Sequence, residues 1–154
     1  MITVEQLCDI ESIKNLRNLY CHFFDGQFPE EMAALFTEDA ICEFGPDYGG
    51  DWVGREQIHK NFADWMKKEG PQYGVMHSVT NPWIRMIDDE TANGRWYLHD
   101  LRTTEGFENP LILYGIYDDV YKKIDGEWLI HQTRIDFLWP KRYIMEPRDI
   151  SYRA

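Results

Sequence analysis

Residues 111–138 read LILYGIYDDVYKKIDGEWLIHQTRIDFL. Two extended segments, Leu111–Lys123 and Glu127–Leu138, flank Asp125-Gly126. That dipeptide accepts positive φ at both central positions of a type I′ turn, so the segments are predicted to pair as an antiparallel hairpin. Upstream, Thr91–Arg102 predicts a third long strand, set off by the polar turn Asp88-Asp89-Glu90. Val75–Thr80 and Trp83–Ile87 read as two shorter strands, broken at Asn81-Pro82 because proline lacks the N–H a ladder needs. Strands of this length twist and curl rather than lie flat. The second half of the chain therefore predicts a curved antiparallel meander.

The first half is helical. Thr3 and Gln6 have the spacing of a capping box, with Ile2 and Leu7 around it as a hydrophobic staple. Leu7, Ile10, Ile13, Leu16, Tyr20 and Phe24 then recur at helical spacing. Asp25-Gly26 ends the run, with Gly26 suited to a left-handed C-terminal cap. Pro29 opens a short second helix that turns Met32, Leu35 and Phe36 inward. A short strand is expected at Ala40–Phe44, a loop over 45–54, and a third helix over Arg55–Lys68 with Ile58, Phe62 and Trp65 on its apolar face. The tail from Trp139 reads as irregular. Helices followed by a meander predict an α+β fold, one domain over residues 1–154, whose curled sheet and three helices enclose an apolar interior.

Composition narrows the function classes. Of the 154 residues 44% are apolar and 28% charged, which suits a globular chain, and aromatic residues reach 15%. Rigid rings can line a pocket without collapsing into it. A net charge of −11 with no cluster of Lys and Arg excludes nucleic acid and an anionic membrane surface as partners. No apolar run approaches the roughly 20 residues of a membrane span. Cys8 and Cys21 would lie about 20 Å apart on one helix, too far to bridge. Cys42 then has no partner, so a reducing, cytoplasmic setting is expected.

Strand parity selects the polar groups that face the interior. Trp96, Leu98 and Asp100 share one face of their strand, and Arg95, Tyr97 and His99 the other. Asp100 thus sits on an apolar face, where a carboxylate is costly unless paired or used. His77 likewise falls between Val75 and Val79. Asp25 stands at the end of the first helix and Tyr20 on its core face. Each has an ordinary structural explanation: a hydrogen-bonded core histidine, a helix terminator, a partner for Arg102 or Arg134. Their convergence on one interior points toward function. Other chemistries lack their motifs. There is no G-x-G-x-x-G, P-loop, H-E-x-x-H or C-x-x-C, and His99 and Asp100 point to opposite faces, so neither cofactor nor metal is expected. General acid–base chemistry on a buried small molecule remains.

The segments L-Y-C-H-F-F-D-G (19–26), A-L-F-T-E-D-A (34–40), G-R-E-Q-I (54–58) and H-S-V-T-N-P (77–82) resemble the SnoaL-like branch of the NTF2-like superfamily. T-A-N-G-R-W-Y-L-H-D (91–100), followed by Y-K-K-I-D-G-E-W (121–128), is similar to the bile acid 7α-dehydratase and scytalone dehydratase subgroup. The resemblance covers nearly the whole chain and implies a conical α+β fold with a strongly curved antiparallel or mixed sheet. It implies that Tyr20, His77 and Asp100 act on substrate, and that Asp25 and His77 form the proton-abstracting dyad of the related dehydrochlorinases. Substrate contacts are expected from Phe24, Phe44, Trp96 and Tyr114, and the resemblance makes Arg134 the candidate for the basic residue near the last strand. Tyr48 and Tyr117 are further candidates.

The expected activity is that of a cofactor-independent lyase, dehydrating a hydrophobic cyclic molecule such as a steroid or polyketide-like ring. A ketosteroid-isomerase-like isomerase, a small-molecule binding protein and a scaffold like the β subunit of ring-hydroxylating dioxygenases share the fold and stand as alternatives. The similar dehydratases are trimers paired through the convex faces of their sheets, which implies a homotrimer built on the face bearing Tyr97 and Leu101.

Overall fold

The computed structural model describes residues 2–145. Helix α1 (Val4–Asp25) starts at the capping box, in which Thr3 accepts from the Gln6 N–H and Gln6 accepts from the Thr3 N–H. Its buried stripe is Ile13, Leu16, Arg17, Tyr20, Cys21 and Asp25, whereas Ile2 and Leu7 are exposed. Gly26 has φ −78° and stays right-handed; the left-handed turn falls one residue later, at Gln27 with φ 60°. The Gln27 side chain explains the shift, since it donates to the carbonyls of Met66 and Gly70 and ties the turn to the end of the third helix.

Helix α2 (Pro29–Ala34) leads into β1 (Phe36–Glu43), which begins four residues earlier than the sequence suggests. The expected loop 45–54 holds a 3₁₀ turn at Pro46–Tyr48 and a short strand β2 (Asp51–Val53) before α3 (Arg55–Lys68). β3 (Val75–Met86) is one strand rather than two. It passes through Pro82 because a register shift between Thr80 and Trp83, with Asn81 at φ 54°, absorbs the missing donor on what is an edge strand. β4 (Thr91–Arg102), β5 (Leu111–Ile124) and β6 (Glu127–Trp139) complete the meander, and Asp125 and Gly126 take the expected positive φ values of 51° and 85°.

The sheet order is β2-β1-β6-β5-β4-β3, with β1 parallel to β6 and every other pair antiparallel. It is an open mixed sheet whose edges are β2 and β3. Register shifts at Asp100/Leu101, Tyr114/Gly115 and Val120/Tyr121 bend the central strands. Gly94 permits close packing inside the bend, where a Cβ would lie 2.6 Å from the Tyr121 ring. After β6 the chain turns back, and Tyr143 bridges Phe137; residues 146–154, the rest of the expected irregular tail, lie outside the described residues. Among the described residues no helix is long and apolar enough to cross a membrane.

The core lies between the helices and the inner face of the sheet. Phe62 of α3 is its hub, packed against the rings of Tyr20, Phe24, Phe36, Phe44 and Trp52 at centroid distances of 5.1–6.2 Å. Edge-to-face pairs of this kind contribute roughly 0.5–1.5 kcal/mol each beyond area burial. They hold the side chains of α1, β1, β2 and α3 around one cavity.

Candidate active site

The end of α1 is pinned to the start of β3. The Asp25 carbonyl accepts from the Tyr73 N–H at 2.7 Å, and the Gly26 carbonyl from the Gln72 side chain at 2.8 Å. Both Asp25 carboxylate oxygens then engage His77: Oδ2 accepts from the backbone N–H at 2.9 Å, and Oδ1 meets imidazole Nδ1 at 2.6 Å. An ionised carboxylate only accepts, so Nδ1–H is the donor of this contact and Nε2 is left as the basic nitrogen. Phe24 packs edge-on against the imidazole with centroids 4.6 Å apart, restricting its rotation.

His77 stands directly opposite Asp100 in the β3–β4 ladder, and Nε2 lies 3.8 Å from Asp100 Oδ2. Asp100 is buried, and its Oδ1 has no hydrogen-bond partner among the described residues. Burial pushes the Asp100 carboxyl above its ordinary range, and the charges of Glu69 and Asp25 act the same way against His77 and Arg102. For His77, burial disfavours the imidazolium, but Asp100 and the hydrogen bond and charge of Asp25 outweigh it, so its pKa is raised. An oriented imidazole and a buried carboxyl thus face each other across 3.8 Å.

Both face a cavity of about 40 Å³. Since one water needs roughly 10–15 Å³ by this measure, the space suits about three waters and not yet a ring. Phe24, Phe44, Trp52, Phe62 and Leu98 supply apolar wall, and Tyr20 and Tyr117 share a side-chain hydrogen bond on its inner side. Burial raises the Tyr20 hydroxyl well above its usual pKa, which suits a hydrogen-bond donor and not a base. Toward solvent, Tyr48 and Trp65 separate this cavity from an outer chamber of about 280 Å³ that reaches Phe137, Lys141 and Tyr143. Burial, with Asp100 and Glu69 nearby, pushes the Tyr48 hydroxyl up to about 12.

The structure thus gathers Tyr20, His77, Asp100, Phe24 and Phe44 at one cavity, sets Asp25 behind His77, and separates three other expected contacts from the cavity. Trp96 faces inward but lies deeper in the core, where its indole N–H donates to the Tyr121 hydroxyl at 3.0 Å. Tyr114 is on the outer face, 42% exposed, against His99 and Trp139. Arg134 is also outside, paired with Asp118 at 3.1 Å, because the adjacent Ile135 takes the inner position. Trp52 and Glu69 line the cavity without having been singled out from the sequence, together with Trp65 from the apolar face of α3. Glu69 follows α3 directly and is paired with Arg102 at 3.7 Å; the apolar period of α3 pointed to Trp65, but nothing local marked Glu69.

The SnoaL-like domain matches residues 5–134. Among solved structures, the chain is similar to a candidate scytalone dehydratase from Novosphingobium aromaticivorans DSM 12444, with 25% identity, a TM-score of 0.78 and 94% of each chain covered. A protein of unknown function from Mycobacterium tuberculosis is 27% identical, with a TM-score of 0.74 over 87% of this chain and 74% of that one. An NTF2-like protein with a cystatin-like fold from N. aromaticivorans, 16% identical, superposes with a TM-score of 0.71 over 92% of this chain and 94% of that one, a likeness of fold alone.

Proposed function

The chain belongs to the SnoaL-like domain family, and from that premise we propose that it is a cofactor-independent lyase, a dehydratase acting on a hydrophobic cyclic β-hydroxy ketone such as a steroid or polyketide-like ring. The observation that carries this reading is the 2.6 Å Asp25–His77 contact, with Nε2 free toward a buried, partnerless oxygen-bearing Asp100. His77 Nε2 takes the proton next to the carbonyl, and Asp25 holds the imidazolium that forms. Tyr20 donates to the oxygen on which negative charge develops. Asp100, whose carboxyl burial raises above its ordinary range, gives its proton to the departing hydroxyl when protonated. The C–H and C–O bonds break, a C=C bond forms, and water leaves. Proton transfer from His77 to Asp100 across the 3.8 Å gap then restores both groups. A ring reaches them when Tyr48 yields and the outer chamber takes the rest of the molecule.

A screen of cyclic β-hydroxy ketones for water loss tests the reading. Turnover should be bell-shaped in pH, because the active form has lost the Nε2 proton of His77 and kept that of Asp100, and both limbs belong to the coupled pair. Asp100→Asn should remove the alkaline limb. Isomerisation without water loss would make the enzyme an isomerase on the same dyad, and tight binding with no turnover would make it a binding protein.

We also propose a homo-oligomer, a trimer, assembled through the outer face of the sheet. Tyr97, Tyr114, Trp83 and Trp139 are 38–50% exposed there, an apolar patch of the kind that marks interfaces. Light scattering at micromolar concentration should give about three times the 18.4 kDa chain mass; a monomer contradicts it. Three free thiols, two of them buried, suit a reducing compartment, and we place the protein in the cytoplasm.

A further inference from the structure

Arg17 is the largest fully buried side chain, and it lies outside the dyad. Its guanidinium sits in the corner made by two cavity tyrosines that meet edge to face, 4.1 Å from the Tyr20 ring centroid and 3.4 Å from that of Tyr117. On its other side, Nε is 3.6 Å from Asp119 Oδ2, and Nη2 donates weakly to the Thr133 hydroxyl at 3.4 Å. Nε and Nη1 make no hydrogen bond among the described residues. Asp119 is held from behind by the Tyr121 hydroxyl at 2.6 Å, and that hydroxyl in turn accepts from the Trp96 indole.

A buried ion pair this loosely bonded is a poor stabilising device, since apolar residues of the same volume commonly serve as well. Its orientation suggests another use. The cation lies against the two tyrosines of the cavity wall and the carboxylate lies behind, against Tyr121. We propose that Arg17 is a positioning residue, its ion pair with Asp119 forming a fixed dipole whose positive end makes the Tyr20–Tyr117 wall a seat for an anionic oxygen. Electrostatics agree with the geometry. Burial raises the hydroxyls of Tyr20 and Tyr117, and Arg17 opposes it at both, whereas at Tyr121 Asp119 reinforces burial. The dipole offsets the repulsion that Asp25 and Glu69 exert on a developing enolate, and it is preorganised in a buried site where such dipoles act most strongly. The inference deepens the lyase reading by assigning the ligand a phenolate- or enolate-like oxygen, and it is testable without turnover.

The probe is 4-nitrophenol, whose colour reports its ionisation when bound. The wild-type protein should bind it as the phenolate, displacing its titration at least one pH unit downward from the free dye, about tenfold in the ionisation constant. Arg17→Met with Asp119→Asn removes the dipole without stranding a charge, and the asparagine still accepts from Tyr121; bound dye should then titrate at or above its free value. Asp119→Asn alone leaves the cation unopposed and should displace the titration further downward, a change of sign that a merely structural role does not produce. Arg17→Lys should retain most of the displacement. Circular dichroism confirms folding of each variant. Wild-type protein that fails to hold the phenolate, or a folded double variant that still holds it, overturns the proposal. Failure of the dehydration screen alone leaves it standing, because the dye measurement requires no reaction.

Discussion

Replacing His77 by glutamine is expected to lower turnover by about 10²–10⁴-fold, the usual contribution of a positioned general base, while the fold persists. Glutamine keeps a polar side chain of similar reach but cannot take up a proton at Nε2. Because the imidazole removes a proton only as the transition state is approached, kcat should fall with little change in KM. Steady-state kinetics on a substrate found by the screen, with circular dichroism as the folding control, checks this. Near-full activity would make His77 a core residue.

Asp25→Asn is expected to cost about as much, roughly 10²–10⁴-fold, and some stability as well. The two carboxylate oxygens accept separately from the His77 backbone N–H and from Nδ1–H. An asparagine has one accepting oxygen. Either the β3 backbone N–H loses its acceptor, or the imidazole does and no longer presents a basic Nε2 to the cavity. A buried donor left unsatisfied costs about 1–3 kcal/mol, readable as a lower denaturant midpoint with unchanged slope. The loss of activity should exceed what that destabilisation explains, since the protein remains folded under assay conditions.

Much of the architecture was legible because it is local. Asp125-Gly126 specifies its hairpin through backbone preference alone, and parity along Thr91–Arg102 turns Asp100 inward. Pairing of distant segments was less accessible. β1 and β6 run parallel although some ninety residues separate them, a pairing that no local pattern marks. Proline at position 82 read as a strand break, because sequence does not reveal that β3 lies at an edge where a bulge is tolerated.

At the site, Asp25 and His77 were found by their places at an element end and on an apolar face. Tyr114 and Arg134 were expected through likeness rather than geometry. Parity from Tyr117 and Ile135 would have put both outside, as the structure does. Arg17 was passed over for the opposite reason. It lies three residues before Tyr20 and four after Ile13, squarely on the buried stripe of α1, but an arginine is ordinarily a surface residue and its charge concealed its position. Tyr48 and Trp65 meet across a loop and a helix, a contact set by packing and by no local pattern.

Proton abstraction by the Asp25–His77 dyad is the central claim, and hydrogen exchange reads it most directly. A cyclic β-hydroxy ketone or its ketone analogue, incubated with the protein in D₂O and followed by NMR, should gain deuterium at the carbon next to the carbonyl. The rate should far exceed that in buffer, and His77→Gln should reduce it by the same 10²–10⁴-fold as turnover. Exchange no faster than in buffer, or equally fast with the folded His77→Gln protein, would contradict the account.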